Sequence, residues 1–337
     1  MPIIGASATD PNKILPLTYP WAREFYKNGV ANNWVPEEVS MQKDVEQWKA
    51  PDVLSDTERR LILWNLGFFS TAESLTANNI VLAVYRHVTN PECRQYLLRQ
   101  AFEEAIHTDT FIYCSDSLGL DPDRIYTMYH TIPSIREKDQ FVIEITRSIF
   151  DPSFDLVAPA AADRTTNVQR FLRDLIGYYV IMEGIFFYAG FAMMLALKRQ
   201  GKMIGIGEQF EFIMRDESVH LAFGCELINT IKQDYPAAWS AELQAEVVDL
   251  VRRGVQFEQA YAHDACPDGL LGINAVQFAR YVEYVADRRL ERIGLPRQYE
   301  TDNPFPWMSH TMDLNKEKNF FETRVTEYQP AGALDWD

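Results

Sequence analysis

Cysteine is scarce: four residues in 337 (Cys93, Cys114, Cys225, Cys266), with no CxxC pair and no regular spacing. That excludes a disulfide scaffold and a thiolate zinc site, and it suits a chain that works in the reducing cytoplasm. Basic charge is also short. Lys and Arg number 32 against 48 Asp and Glu, a formal charge of -16. A nucleic-acid polymer needs a basic face, and an anionic membrane surface needs one too, so neither is an expected partner. The first residues, MPIIGASATDPNK, lack a basic stretch followed by an apolar core, and no secretory signal is expected. Solenoid repeats, low-complexity blocks and sustained strand-like alternation are missing as well.

Helical spacing is what remains. Ser55 with Glu58 three residues on reads as a capping box, opening a helix that the pattern carries through to a stop near Asn90-Pro91. Further helices are predicted over about 91–118, ending at Gly119, 135–150, 168–200, 206–234, 238–262 and 274–293, with an irregular C-terminus after NPFPWM. The segment Pro152 to Thr166 reads as a polar connection. These elements predict one all-α domain over about 15–310, with a flexible N-terminus at 1–14 and a flexible tail at 311–337.

The run Leu175 to Leu197 is long enough to span a bilayer, and Glu183 is its only charged residue. Long polar-faced helices flank it and no other run matches it, so it is expected to be the buried centre of a bundle. A lone carboxylate there is costly unless it is paired or binds metal, which makes Glu183 a candidate site residue.

Glu104-Ala-Ile-His107 and Glu217-Ser-Val-His220 repeat one spacing that places a carboxylate and an imidazole on the same helical face. With 25 Glu and 6 His in the chain, chance supplies about 0.4 such pairs, so two are informative. Each is preceded, by 31 and 34 residues, by an isolated acid in an apolar run: Glu73 in FFSTAESL and Glu183 in VIMEGIFF. One Glu from each of two helices and a Glu-x-x-His from each of two others is the ligand set of a dinuclear carboxylate centre in a four-helix bundle. Four carboxylates balance two divalent cations, and oxygen-rich ligation with imidazole suits iron or manganese. His87, His130, His263 and His310 have no carboxylate three residues upstream and read as structural or surface residues.

With NNWVPEEV, FEEAIHTDTF, MEGIFFYAGF, RDESVHLAFG and NPFPWM in this order, the chain resembles the small, radical-generating subunit of class I ribonucleotide reductase over nearly its whole length. The resemblance implies a ferritin-like bundle, a homodimer, and metal site 1 held by Glu73, Glu104 and His107. It implies site 2 held by Glu183, Glu217 and His220, with Glu104 and a later Glu bridging. Asp216 would orient the site 1 histidine and Trp34 would hydrogen-bond to that Asp; an acid next to a ligand has such a role on physical grounds too. Two positions depart from most of the family. Glu73 stands where Asp is usual, and Phe111 stands where a radical-storing tyrosine is usual; Phe has no phenol to oxidise. This combination resembles the manganese/iron subclass (class Ic), which keeps the oxidising equivalent in a manganese(IV)/iron(III) pair formed with dioxygen, manganese at site 1. Di-iron and di-manganese centres are the alternatives. Tyr113 is expected on a different face from Phe111, and Phe187 and Phe191 are expected to keep the site dry.

The acidic tail, with four acids and one Arg from Asn319 on, would dock on the large subunit through Leu334 and Trp336, with Tyr328 as the relay between subunits. Competing readings are a self-contained oxidase on the same ligands, which would not need Trp34, Tyr328 or the tail, and a metal-storage protein of the ferritin type.

Overall fold

The computed structural model describes residues 2–5, 15–76, 81–157, 164–270 and 272–309. Among these the chain is helical, and the only β pairing is two isolated bridges, Ile4 with Val88 and Leu270 with Ile273. The helices are α1 (Pro20–Ala31), α2 (Gln42–Lys49), α3 (Asp56–Leu75), α4 (Val81–His87), α5 (Pro91–Leu118), α6 (Pro122–Tyr126) and α7 (Met128–Thr131). Then follow α8 (Pro133–Ile145), α9 (Arg164–Leu175), α10 (Tyr188–Arg199), α11 (Ile204–Asp234), α12 (Ala241–Ala265) and α13 (Ala275–Arg292), with a π-helical stretch, Ile176–Phe186, joining α9 to α10. This is the all-α, ferritin-like architecture expected.

Local chemistry fixes the key boundaries. Ser55 and Glu58 form the predicted reciprocal cap: Glu58 N–H donates to Ser55 Oγ (3.2 Å) and Ser55 N–H to Glu58 Oε2 (2.8 Å). Asn90 Oδ1 accepts from Cys93 N–H at the start of α5, Pro91 takes the first helical position, and Gly119 ends the helix at φ 66°, where a Cβ would be strained. α3, α5, the π stretch and α11 pack around one centre, with α10, α12 and α13 closing it.

The apolar helix 164–199 is buried in the protein along its whole hydrophobic window, so it faces other helices rather than lipid. Its π stretch loosens the usual backbone pairing, and side chains from other helices take up backbone groups freed at its end. Arg289 Nε donates to the Gly184 carbonyl (3.0 Å) and Lys138 Nζ to the Phe186 carbonyl (3.0 Å). Glu258 Oε1 accepts from Ala189 N–H (3.2 Å), and Lys138 and Glu258 pair with each other at 2.5 Å, both fully buried. Gly224 of α11 admits the Tyr179 ring of this stretch; a Cβ there would lie 2.1 Å from Tyr179 Cγ.

Several expectations need correction. The helix opened by Ser55 is described as α3 to Leu75 and a separate α4 from Val81, residues 77–80 lying outside the described residues. The predicted 135–150 helix stops at Ile145 and tightens into a 3-10 turn, Arg147–Phe150, before Asp151-Pro152. The helices α1 and α2 are additions to that expectation; neither opens on a capping side chain, although α1 packs Trp21 and Phe25 on Phe223. After NPF a short helical turn forms at 306–309, with Phe305 and Met308 buried. The flexible N-terminus expected over 1–14 is anchored at residues 2–5: Ile3 and Ile4 are buried, and Thr89 N–H donates to the Ile3 carbonyl (2.6 Å). Residues 6–14, most of the 152–166 connection's centre (158–163) and the tail from His310, including Tyr328, Leu334 and Trp336, lie outside the described residues.

Candidate metal centre

Six side chains converge at the centre of the bundle. Glu73 comes from α3, Glu104 and His107 from α5, Glu183 from the π stretch, and Glu217 and His220 from α11; all are fully buried. They form two groupings whose ligand atoms lie within 4.8 Å of one another: Glu73, Glu104, His107 and Glu217 in one, and Glu104, Glu183, Glu217 and His220 in the other. Glu104 and Glu217 belong to both. His107 Nδ1 is 3.6 Å from Glu73 and Glu104 and 3.2 Å from Glu217. His220 Nδ1 is 3.2 Å from Glu104, 3.5 Å from Glu217 and 3.9 Å from Glu183.

Both carboxylate oxygens of Glu73, Glu104 and Glu217, Oε2 of Glu183 and Nδ1 of each histidine lack a hydrogen-bond partner although buried. Buried polar atoms are almost always satisfied. So many orphaned acceptors aimed at one point fit a pair of cations. Titration follows the crowding. Burial, then the Glu104 charge, pushes Glu73 well above the ordinary carboxylate range, and burial, then Glu217, does the same to Glu183. Burial works against Glu104 as well, but the close approach of the His107 and His220 imidazoles outweighs it and holds that carboxyl low. Both imidazoles are held above their usual value despite burial, His107 chiefly by Glu73 and Asp216, His220 by Tyr96, Glu217 and Glu103. Without cations the cluster can keep its charges only by sharing protons; with them it needs none.

The supporting residues occupy distinct places. Trp34 Nε1 donates to Asp216 Oδ2 (2.7 Å), and the same oxygen lies 3.4 Å from His107 Nε2. Arg215 holds Asp216 Oδ1 (3.0 Å) and the Asn32 carbonyl (2.8 Å). Phe111 is buried and stacks on Phe69 (centroids 5.8 Å apart, 25°), in a box with Phe210, while Phe187 and Phe191 pack on the same Phe69. Tyr113 points elsewhere, its hydroxyl donating to the Val39 carbonyl (3.1 Å). His87 is a buried structural histidine with Nε2 3.1 Å from the Ile149 carbonyl; His130 and His263 are exposed.

Four further contacts have no counterpart among the residues expected from sequence. Glu103 Oε2 lies 2.8 Å from His220 Nε2, and Arg99 Nε donates to Glu103 Oε1 (2.9 Å). Gln100 Nε2 donates to Glu183 Oε1 (3.0 Å), while its own carbonyl accepts from the Tyr179 hydroxyl (3.0 Å). Helical spacing from the paired motifs points to Gln100, one turn before Glu104, and Glu103 precedes Glu104 as Asp216 precedes Glu217, which marks Glu103 on the same physical grounds as Asp216.

A helical bundle with four glutamates and two histidines turned inward defines the ferritin-like dinuclear carboxylate proteins. Residues 11–304 match the family ribonucleotide reductase, small chain. The chain is 55% identical over 334 residues to the ribonucleoside-diphosphate reductase subunit beta of Chlamydia pneumoniae, covering 99% of this chain and 94% of that one. It is 33% identical to small chain 1 of the Saccharomyces cerevisiae enzyme, covering 95% and 74%. Among solved structures, the ribonucleotide reductase R2 subunit from Clostridium botulinum superposes with a TM-score of 0.82 at 28% identity, covering 93% of this chain and 94% of that one. The chain belongs to the ribonucleotide reductase small-chain family, and is the small subunit of a ribonucleoside-diphosphate reductase.

Proposed function

We propose that this subunit holds one manganese and one iron, activates dioxygen with them, and supplies a radical equivalent to a large catalytic subunit for reduction of ribonucleoside diphosphates. Glu73, Glu104 and His107 hold site 1, the manganese site; Glu183, Glu217 and His220 hold site 2, with Glu104 and Glu217 placed to reach both. When bound, the metal pair would supply the dioxygen-activating redox chemistry that no side chain here can.

The observation that carries the manganese/iron reading is Phe111. It fills the buried aromatic box beside the cluster, and with no phenol there the usual organic store for the oxidising equivalent is missing. The surrounding Phe69, Phe187, Phe191 and Phe210 present only apolar surface, which excludes water from the site. Trp34 and Asp216 form the exit route: the carboxylate joins the indole to the His107 imidazole, so an electron and its compensating proton shift share one hydrogen-bonded path. From Trp34 the route passes to Tyr328, with Leu334 and Trp336 docking the tail on the large subunit. The subunit acts as a homodimer in the cytoplasm; four buried thiols, none in a disulfide, suit that reducing compartment.

Anomalous scattering at the manganese and iron edges, on crystals of protein purified from its own host, tests the assignment. Manganese beside Glu73 and iron beside Glu183 are expected; a site 1 without manganese sinks it. For the tail, Tyr328→Phe is expected to abolish nucleotide reduction with the large subunit at unchanged metal content, and full activity would remove Tyr328 from the route.

A further inference from the structure

Each imidazole of the cluster turns Nδ1 inward and Nε2 toward a carboxylate that belongs to neither metal grouping. For His107 that carboxylate is Asp216; for His220 it is Glu103, at the shorter distance of 2.8 Å. A carboxylate can only accept, so His220 Nε2 carries a proton, and Nδ1, which faces Glu104, Glu183 and Glu217, is the nitrogen left to give a lone pair to a metal.

Glu103 is itself held. Its Oε1 accepts from Arg99 Nε (2.9 Å), one turn earlier on α5, and the pair is nearly buried. Arg99 Nη1 continues to Asn33 Oδ1 (2.9 Å), the residue before Trp34. On the other side Arg215 joins Asp216 to the Asn32 carbonyl. Three consecutive residues, Asn32, Asn33 and Trp34, are thus tied to the carboxylates behind both histidines. Gly29 on α1 leaves the space this needs: a Cβ there would lie 2.8 Å from Glu103 Oε1 and 2.9 Å from Arg99 Cγ.

We propose that Glu103 is the positioning residue of the second imidazole, held by Arg99 and Asn33, so that the segment carrying Trp34 and the histidine of site 2 are set as one unit. The proposal rests on the two-metal reading of the cluster. Accepting the Nε2 proton fixes ring orientation and tautomer and makes the inward nitrogen a stronger donor to metal; loss of such a partner typically costs about 10–100-fold in affinity.

The test is titration of the metal-free full chain with manganese(II) alone, reading free ion by its electron paramagnetic resonance signal. The wild type is expected to take up two ions per chain. Glu103→Ala should weaken one of the two binding events about 10–100-fold and leave the other in place. Glu103→Gln, whose amide oxygen accepts the same N–H, should recover most of the loss, a rescue that a general packing role would not give. Gly29→Ala, which touches no proposed ligand, should weaken the same event by displacing the Arg99–Glu103 pair, and it decides the matter if Glu103→Ala does not fold. Two unaltered events in Glu103→Ala, or in a folded Gly29→Ala, overturn the proposal. A wild type that binds fewer than two ions instead overturns the two-metal reading itself.

Discussion

The Trp34 indole and the Asp216 carboxylate, 182 residues apart in the chain, meet at 2.7 Å with both groups buried. The same Asp216 oxygen reaches His107, so one acceptor links the protein's N-terminal segment to the metal cluster. Trp34 also packs on Phe212 at 5.0 Å between centroids, which fixes the indole plane from its far side.

Trp34→Phe keeps the aromatic packing and removes the donor. Nucleotide reduction with the large subunit is expected to fall about 10–100-fold or more, with metal content unchanged. A coupled assay of deoxynucleotide formation, alongside elemental analysis, checks both halves; metal loss would mean the indole matters for building the site rather than for leaving it.

Phe111→Leu should leave nucleotide reduction within about the same order of magnitude, because the position holds no redox group, at a packing cost of roughly 1–3 kcal/mol. Phe111→Tyr puts a hydroxyl among Phe69 and Phe210 and should destabilise by about 1–3 kcal/mol. Denaturant melts of the two variants measure these costs. A Leu variant that folds and binds metal but cannot support reduction would contradict the proposed role of the metals as the radical store.

Lys138 and Glu258 pair without solvent, and each also serves the backbone where the π stretch passes into α10. Lys138→Met strands a buried carboxylate and is expected to cost about 3–5 kcal/mol. Replacing both members with apolar residues often restores stability, but here the Phe186 carbonyl and Ala189 N–H would stay unsatisfied. The Lys138→Met/Glu258→Leu variant should therefore recover only part of the loss in a urea melt. Full recovery would show that the backbone contacts contribute nothing.

Asp139 is buried, and burial pushes its carboxyl up to about 7 despite the neighbouring Lys138. The folded state therefore holds this proton where the unfolded chain, titrating near 3.8, has lost it. Its contribution is complete below about pH 4 and disappears as pH rises toward about 7. Asp139→Asn should raise the Tm of the metal-free protein at pH 8 by several degrees and flatten its decline between pH 5 and 7. An unchanged slope would assign the pH dependence to other groups, Glu258, also pushed up to about 7, being the next candidate.

What could be read from sequence follows from how far each signal reaches. The Glu-x-x-His pairs and the isolated acids Glu73 and Glu183 were visible because helical periodicity relates residues three or four apart, and the structure brings those six together. The Ser55–Glu58 cap and the Gly119 stop are equally local. The helices α1 and α2 were not visible, since neither opens on a side-chain cap of the kind that marks Ser55 and Asn90.

The sequence by itself therefore determined an all-α bundle and the chemistry of its centre, because burying an apolar helix with one carboxylate in it leaves few outcomes. Only the tertiary structure decided which carboxylate stands behind which imidazole. Glu103 and Glu104 are neighbours of identical type, yet one faces the cluster and the other faces His220 from behind, with Arg99 and Asn33 at its back. A helix turns about 100° per residue, so adjacent side chains leave in different directions, and what each meets depends on helices far away in sequence.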